Sequence, residues 1–241
     1  MYTYDDFLKK HEPHYFKQLV FADDLVQDEL KAYAERENFD NILLYGPIGS
    51  AKSTAARVIS EESQRAAGVT NIMVSCYEAK HLKSKTQQIL NSISLVMSMQ
   101  QELDLQPYVI IEEVDQLNST EQLELRAELN TRVMGKLIMT TNNLMNIDRA
   151  LQSRCDCIEV VVPTTEQFLM QAHAILAVDG VKDTDANLLQ LMQTASLTSN
   201  VADMRDIMRA LHKRVVRLQR SLLPAQQAAP ITPPPVKKRK A

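Results

Sequence analysis

The chain has 241 residues, 45% of them hydrophobic and 24% charged, and its formal net charge at pH 7 is −3. This is the composition of an ordinary globular protein, and no apolar run reaches the about 18 residues that a membrane-spanning helix requires. Three cysteines exclude a disulfide framework, and the polar, acidic N-terminus is unlike a secretion signal, so we expect a reducing, intracellular compartment.

The charge is distributed unevenly along the chain. Residues 224–241 contain four basic residues and no acidic one, which leaves −7 for the remainder. The same segment holds five of the nine prolines and no glycine, which is typical of an extended or disordered tail. Its cluster Lys237–Lys240 indicates either an import or nucleic-acid-binding signal or simply solvated charge. The acidic remainder argues against a general DNA-coating protein, although a local basic patch would suffice for DNA binding.

Five short apolar runs divide the first two thirds of the chain. Each has the length of a strand and is followed by polar, helix-compatible sequence, as in buried parallel strands with crossover helices. We predict strands over Ile42–Tyr45, Ile72–Cys76, Tyr108–Ile111, Leu137–Thr140 and Cys157–Val162, and helices over roughly 52–66, 79–98, 119–132 and 146–153. The pattern predicts an α/β domain with a five-stranded parallel sheet over residues 1–162.

After Pro163 the pattern becomes helical only. Thr164–Gln167 has the form of a capping box, in which side chains and backbone N–H groups bond reciprocally at a helix start. The apolar spacing predicts helices over roughly 165–178, 184–195 and 200–222, within a second, all-helical domain over 163–223. The exposed face of the last helix is basic, which by itself is typical of a solvated helix C-terminus; its residues are Arg209, His212, Lys213, Arg214, Arg217 and Arg220.

The segment GPIGSAKS, residues 46–53, has the form of a phosphate-binding loop. It follows a predicted strand and opens a predicted helix, where backbone N–H groups and the helix dipole favour phosphate. Lys52 would contact the β- and γ-phosphates of ATP, and the Ser53 hydroxyl would ligate Mg²⁺. The predicted nucleotide-binding residues of this segment are Gly46, Pro47, Ile48, Gly49, Ser50, Ala51, Lys52, Ser53 and Thr54.

Ala51 departs from the glycine that usually precedes the lysine of such loops. If the loop needs a positive φ at this position, the Cβ costs on the order of 1 kcal/mol, which the smallest side chain makes tolerable. Taken alone, the loop is therefore compatible with a working nucleotide site and with a decayed one.

Two acidic residues end the third predicted strand in YVIIEEVDQL, residues 108–117. An apolar strand of this kind places its carboxylates at the carboxyl edge of the sheet, beside the phosphate loop. In ATPases the first acid holds Mg²⁺ and the next polarises the attacking water, so Glu112 takes the metal role and Glu113 the base role. Aspartate is usual at the first position, and glutamate is one methylene longer. The alternative is a strand that runs into a solvated acidic turn.

A third motif lies in LIMTTNNLMNIDRALQSRCDCIEVVVP, residues 137–163. A strand ends in Thr-Thr-Asn, and a short helical segment ends in Ser-Arg-Cys before the next strand. This order resembles the AAA+ ATPase subunits of sliding-clamp loaders, of the replication factor C small-subunit type, and above all their phage counterparts. The most specific match is LQSRC, Leu151–Cys155, and the similarity covers about residues 10–215. Asp115 and Arg126 also match positions of the family motifs.

The resemblance implies roles for three further residues. Asn142 would be the sensor-1 residue that orients the catalytic water, and Arg154 would be an arginine finger that reaches the ATP site of a neighbouring subunit. Arg205 lies in VADMRDIMRAL, which is similar to the lid helix that carries sensor 2, and would contact the γ-phosphate. By this resemblance the helical domain is the lid of an AAA+ fold.

The resemblance also implies ATP and Mg²⁺ as ligands, and it implies other clamp-loader subunits, the sliding clamp and primer–template DNA as partners in DNA replication. The compartment would be the cytoplasm of a bacterium or phage-infected cell, or a nucleus if the tail is an import signal. Lys80, Lys83 and Lys85 at the start of the second predicted helix are candidate DNA contacts, with a solvated helix face as the alternative. The apolar segment Ile89–Met97 indicates either a clamp contact or core burial.

Departures from the family pattern leave alternatives open. His11-Glu12-Pro13 stands where the family has Tyr-Arg-Pro, and no helical collar domain is predicted after the lid. A stable pentamer is therefore not assumed. One alternative is another AAA+ remodeller of DNA replication, such as a helicase loader or initiator ATPase. The other is a non-catalytic assembly subunit that binds nucleotide weakly and supplies Arg154 to a partner.

Overall fold

The apolar runs form one parallel sheet in the computed structural model, which describes residues 2–82, 108–131, 136–198 and 203–222. Its strands are β1 (Ile42–Tyr45), β2 (Ser75–Glu78), β3 (Tyr108–Glu112), β4 (Lys136–Thr141) and β5 (Asp156–Glu159). Their spatial order is β2-β3-β4-β1-β5, and all neighbours pair in parallel. The predicted five-stranded parallel sheet is thus confirmed.

Helices connect and cover these strands. They are α1 (Tyr4–Lys10), α2 (Asp24–Ala34), α3 (Lys52–Ala66), α4 (Ala79–Leu82), α5 (Ser119–Thr131) and α6 (Arg149–Gln152). The first predicted crossover helix, 52–66, has the bounds of α3. The predicted helix 79–98 is described only as far as Leu82. Lys83, Lys85 and the segment Ile89–Met97 lie outside the described residues.

The sheet is buried on both faces because successive residues of each central strand point to opposite faces and both sets are apolar. Leu43, Val109, Ile111 and Met139 face one core cluster, which Leu125 of α5 and Leu151 of α6 complete. Ile42, Leu44, Ile110 and Ile138 face the other cluster, together with residues of α2 and α3 such as Tyr33 and Ile59. This two-sided burial explains why the strands are continuous apolar runs in the sequence.

Three predicted elements differ clearly from the structure in their bounds. The strand predicted over Cys157–Val162 is β5, Asp156–Glu159, because its partner β1 ends at Tyr45, opposite Glu159. The strand predicted over Ile72–Cys76 begins only at Ser75, because both backbone groups of Met73 bond to the Gln64 side chain of α3, at 3.0 and 2.8 Å. The helix predicted over 146–153 is shorter because Asp148 caps α6, accepting a hydrogen bond from the Leu151 N–H at 3.1 Å. Residues 144–146 form a separate 3-10 turn.

Three helices follow the sheet and pack together as the lid: α7 (Thr165–Val178), α8 (Asp185–Thr198) and α9 (Met204–Leu222). Thr164 and Gln167 form the predicted capping box. Phe7 of α1 is fully buried in the lid cluster, beside residues such as Ile175 and Leu211. Within the described residues no helix is long and apolar enough to cross a membrane. The boundaries of the two domains, and the tail of 224–241, stay predictions.

Candidate functional site

Three adjacent strands bring the candidate nucleotide site to one edge of the sheet. β1 lies beside β4, and β4 lies beside β3, all in parallel, so their carboxyl ends meet at the same edge. The phosphate loop follows β1, Glu112 and Glu113 end β3, and Asn142 follows β4. The carboxyl edge of an open α/β sheet is the usual position of a ligand site.

The phosphate loop has the backbone that its residue types predict. Gly46 has φ of +144°, and a Cβ there would lie 2.2 Å from the Val160 carbonyl oxygen. Ala51 has φ of 65° and ψ of 23°, the left-handed conformation, immediately before α3 begins. The positive φ anticipated at Ala51 is therefore present, and its Cβ costs on the order of 1 kcal/mol there.

Lys52 is the most constrained side chain of the loop. Its Nζ donates to the carbonyl oxygens of Gly46 and Pro47 at 2.9 and 2.8 Å, and the residue is only 7% exposed. Burial lowers the pKa of Lys52, and Arg205 acts in the same direction, whereas Asp115 and Glu113 raise it. A buried cation that donates to loop carbonyl oxygens is suited to bind the negative charge of a phosphate.

The acidic turn after β3 is held by the end of β4. Glu113 has a left-handed backbone, with φ of 58°, and its N–H donates to the Thr140 hydroxyl at 3.2 Å. The Thr141 hydroxyl donates to Asp115 at 2.9 Å. Thr140 and Thr141 are both buried, at 2% and 1% exposure, so they fix the turn that carries the candidate base. Asn142, the next residue, is exposed at the edge.

The residues at this edge fit ATP and Mg²⁺. The Ser53 hydroxyl lies in the first turn of α3, where helix N–H groups lack intrahelical partners, and it is exposed. Hydroxyl and carboxylate oxygens are the ligands that Mg²⁺ prefers. Within the part of the chain that the structure describes, neither the Ser53 hydroxyl nor the Glu112 carboxylate forms a hydrogen bond, so both oxygens remain available to a cation.

The lid meets the phosphate loop at Gly49. The Met204 N–H donates to the Gly49 carbonyl oxygen at 3.1 Å. Gly49 has φ of +79°, and a Cβ there would lie 2.1 Å from an oxygen of Asp203. Asp203 also accepts a hydrogen bond from the Arg205 N–H at 2.8 Å, so it caps α9 while it contacts the loop. The exposed Arg205 is thereby placed close enough to Lys52 to shift its pKa.

Arg154 lies at the opposite edge of the sheet. It precedes β5, and its carbonyl oxygen accepts a hydrogen bond from the Asn41 side chain, just before β1, at 3.3 Å. The phosphate loop begins beyond the other end of β1, about 16 Å away along an extended strand. The exposed Arg154 side chain is therefore remote from the chain's own phosphate loop.

Lys80 is the one candidate DNA contact within the described residues. It is exposed, and its ammonium forms an ion pair with the Glu78 carboxylate. The hydrogen bond that Lys80 donates to Glu78 raises the pKa of Lys80. The pairing partly neutralises this cation at the sheet edge.

The sequence did not single out four residues that organise the edge: Thr140, Thr141, Asp203 and Gln122. Gln122 of α5 donates to the carbonyl oxygens of Leu117 and Asn146, at 3.1 and 3.0 Å, and accepts from the Asp148 N–H at 2.8 Å. It thus joins the acidic turn to the segment that leads to Arg154. Of these four residues, only Thr140 and Thr141 could have been recognised from the sequence. They are polar residues in an apolar strand, and buried polar groups require hydrogen-bond partners.

Comparisons with known proteins agree with this architecture. Residues 42–163 match the family described as the ATPase family associated with various cellular activities (AAA). Two point mutants of RuvB from Thermotoga maritima have similar structures. The first has a TM-score of 0.57 and 14% sequence identity, and the similarity covers 84% of this chain and 73% of that chain. The second has a TM-score of 0.51 and 14% sequence identity, and the similarity covers 85% of this chain and 73% of that chain. A third RuvB structure from this organism, described as a Holliday junction branch migration motor, has a TM-score of 0.51 and 15% identity and covers 85% of this chain and 73% of that chain. At these identities the likeness is one of fold. No sequence among the curated proteins matches the chain.

Proposed function

The chain belongs to the AAA family of ATPases, and on that premise we propose that it hydrolyses ATP as a subunit of a DNA sliding-clamp loader. The proposal would place it in a multi-subunit assembly that loads the processivity clamp on primer–template DNA. The observation that carries it is the separation of Arg154 from the phosphate loop, at opposite edges of one sheet. The LQSRC match and the order of the other motifs support the clamp-loader subtype.

The residues of the sheet edge would divide the work as follows. Lys52 and the loop N–H groups would hold the phosphates, and Ser53 and Glu112 would hold Mg²⁺, which neutralises developing phosphate charge when bound. Glu113 would accept a proton from the attacking water, since the Thr140 contact fixes its turn at the edge. Asn142 would orient that water, and Arg205 would contact the γ-phosphate from the lid.

Arg154 would act on a neighbouring subunit. Its exposed position at the far edge is where a second copy or a related subunit can present its own phosphate loop. An arginine finger stabilises charge on the transferring phosphoryl group and contributes about 10³ or more to kcat. Arg154→Ala should therefore lose hydrolysis and retain ATP binding, whereas Arg149→Ala, at the exposed first residue of α6 and five positions before Arg154, should retain both.

Mixing two inactive variants tests action between subunits. Lys52→Ala lacks a phosphate contact and Arg154→Ala lacks the finger, so each alone should be inactive. A mixture should regain part of the hydrolysis, because intact loops meet intact fingers at some interfaces. If the mixture stays inactive while each variant still assembles, Arg154 does not act in trans.

The clamp-loader subtype is tested by measuring whether DNA and the sliding clamp stimulate ATP hydrolysis. ATP hydrolysis should rise on addition of primer–template DNA and the cognate clamp. A protein stimulated by neither is not a clamp loader. Stimulation by DNA alone, without response to the clamp, would favour another AAA+ remodeller of DNA, a role for which the likeness to the RuvB fold is the supporting observation. ATP binding without turnover under any condition would favour the assembly-subunit alternative.

A further inference from the structure

A groove of about 570 Å³ runs between α8 and α9 on the lid. One wall carries Arg209, Lys213 and Arg217 of α9, and the other carries Asn187, Gln190 and Thr194 of α8. Successive cations are four residues apart, so each lies about 6 Å from the next along the helix axis. All three are exposed. We call this the basic groove.

The charge of the basic groove is only partly neutralised by the protein itself. Arg209 pairs with Asp206 at 2.9 Å. Arg214 forms an ion pair with Asp183, and the Arg214 guanidinium lowers the pKa of Asp183 to about 2. Within residues 2–82, 108–131, 136–198 and 203–222, Lys213 and Arg217 form no ion pair, and the α8 wall supplies no carboxylate. Uncompensated positive charge therefore faces the opening of the groove, on a chain that is acidic as a whole.

We propose that the basic groove binds the phosphate backbone of a nucleic acid. Arginine and lysine, together with amide and hydroxyl side chains, are the groups that contact phosphate and sugar in protein–nucleic acid interfaces. Lys213 and Arg217 supply the charge, and Asn187, Gln190 and Thr194 supply hydrogen-bonding groups on the facing wall. A row of cations along one helix matches a polyanion, whose charges are also regularly spaced.

The lining favours a nucleic acid over an acidic protein. Protein–protein interfaces are enriched in arginine, aromatic residues and methionine, whereas the described lining of the groove has arginines but no aromatic residue and no methionine. The chain's own C-terminal segment, which follows α9, carries four basic residues and no acidic one over 224–241. Like charge disfavours that segment as the occupant. The inference is independent of clamp loading and of ATP hydrolysis.

Binding of fluorescein-labelled DNA, single-stranded and duplex, by the full chain without nucleotide tests the proposal. Lys213→Gln/Arg217→Gln should weaken binding by about tenfold near physiological salt and should reduce the slope of log K against log salt by about 1 to 2. Lys9→Gln/Lys182→Gln removes the same charge from exposed lysines outside the groove and should change both quantities less. Equal melting temperatures of the variants would show that folding is intact.

The four basic residues of 237–240 can also bind DNA, so the groove substitutions are tested a second time in a chain without these charges. The same pair of variants is compared in a chain with Lys237→Gln, Lys238→Gln, Arg239→Gln and Lys240→Gln, where the tenfold effect of the groove substitutions should persist. The proposal is overturned if Lys213→Gln/Arg217→Gln binds DNA as tightly as Lys9→Gln/Lys182→Gln does. It is also overturned if the loss of DNA affinity disappears in the chain that lacks the tail charges. It is also overturned if the variant leaves DNA affinity intact and instead changes the sedimentation of the protein, which would identify an acidic protein surface as the occupant.

Discussion

The carboxyl edge of the sheet and the start of α9 meet at Gly49, yet they hold their polar side chains by different means. At the sheet edge, Ala51 and Glu113 have left-handed backbones and Lys52 is buried among carbonyl oxygens. In the lid, Arg205 is exposed and depends on the Asp203 cap. The edge is thus fixed by its backbone before a ligand arrives, whereas the lid is held by contacts that a ligand or a salt can change.

The largest expected effect comes from removing the buried cation of the edge. Lys52→Met should weaken ATP binding by about 100-fold, since a charge-assisted hydrogen bond contributes up to about 3 kcal/mol. Titration calorimetry measures this. Lys31→Met, an exposed lysine of α2, is the control and should bind ATP normally. Normal ATP affinity in the Lys52 variant would show that the loop is not a phosphate site.

Gly49 tests the contact between the two regions. Gly49→Ala should lower the free energy of unfolding by about 2 kcal/mol, because a Cβ at φ of +79° also collides with Asp203. Gly68 has φ of +80° with nothing within 4 Å of its Cβ position, so Gly68→Ala carries only the backbone cost of about 1 kcal/mol. Urea denaturation compares the two. Equal losses would mean that the lid is not docked on the loop.

Asp183 tests the electrostatic support of the lid. The Arg214 guanidinium lowers the pKa of Asp183 to about 2, so the carboxylate stabilises the folded state above its unfolded pKa, and this stability is lost as the pH falls through about 2. Asp183→Asn should cost on the order of 1 kcal/mol at pH 7, after allowance for solvent screening.

The pH dependence distinguishes this ion pair from a packing effect. The difference in stability between wild type and Asp183→Asn, followed by denaturation, should be constant above about pH 5 and should disappear towards about pH 1. Asp185→Asn is the matched control, because its side chain is 74% exposed and should change stability little. A difference that survives at the lowest pH would refute the electrostatic account.

The smallest effect is expected at Ala51. Ala51→Gly removes a Cβ from a left-handed residue and should stabilise the protein by about 0.5 kcal/mol, once the greater flexibility of glycine in the unfolded chain is subtracted. Ala67→Gly, at φ of −79° after the same helix, should bring no gain. Thermal denaturation shows whether each substitution raises or lowers the stability of the protein. A destabilised Ala51→Gly variant would mean that this backbone is not strained.

Much of the sheet edge was predictable because its signals are local. Apolar runs predict buried strands, and the phosphate-loop motif between a strand and a helix predicts how α3 begins. The bounds of β2 were not predictable, because Gln64 takes the backbone groups of Met73, nine residues further along the chain. The capping residue Asp148 was visible in the sequence, but only its hydrogen bond showed that it divides the predicted helix.

The sequence by itself determined the parallel sheet, the loop that opens α3 and the succession of polar residues after β1, β3 and β4, because periodicity and turn chemistry act between near neighbours. Only the tertiary structure decided which of these residues share an edge, since strand order brings Glu113 to Thr140 and leaves Arg154 on the far side. It also decided which lid cations form ion pairs with other described residues. The pairing of Arg214 with Asp183 depends on how α9 packs against the turn before α8, and long-range packing of that kind leaves no pattern in the sequence.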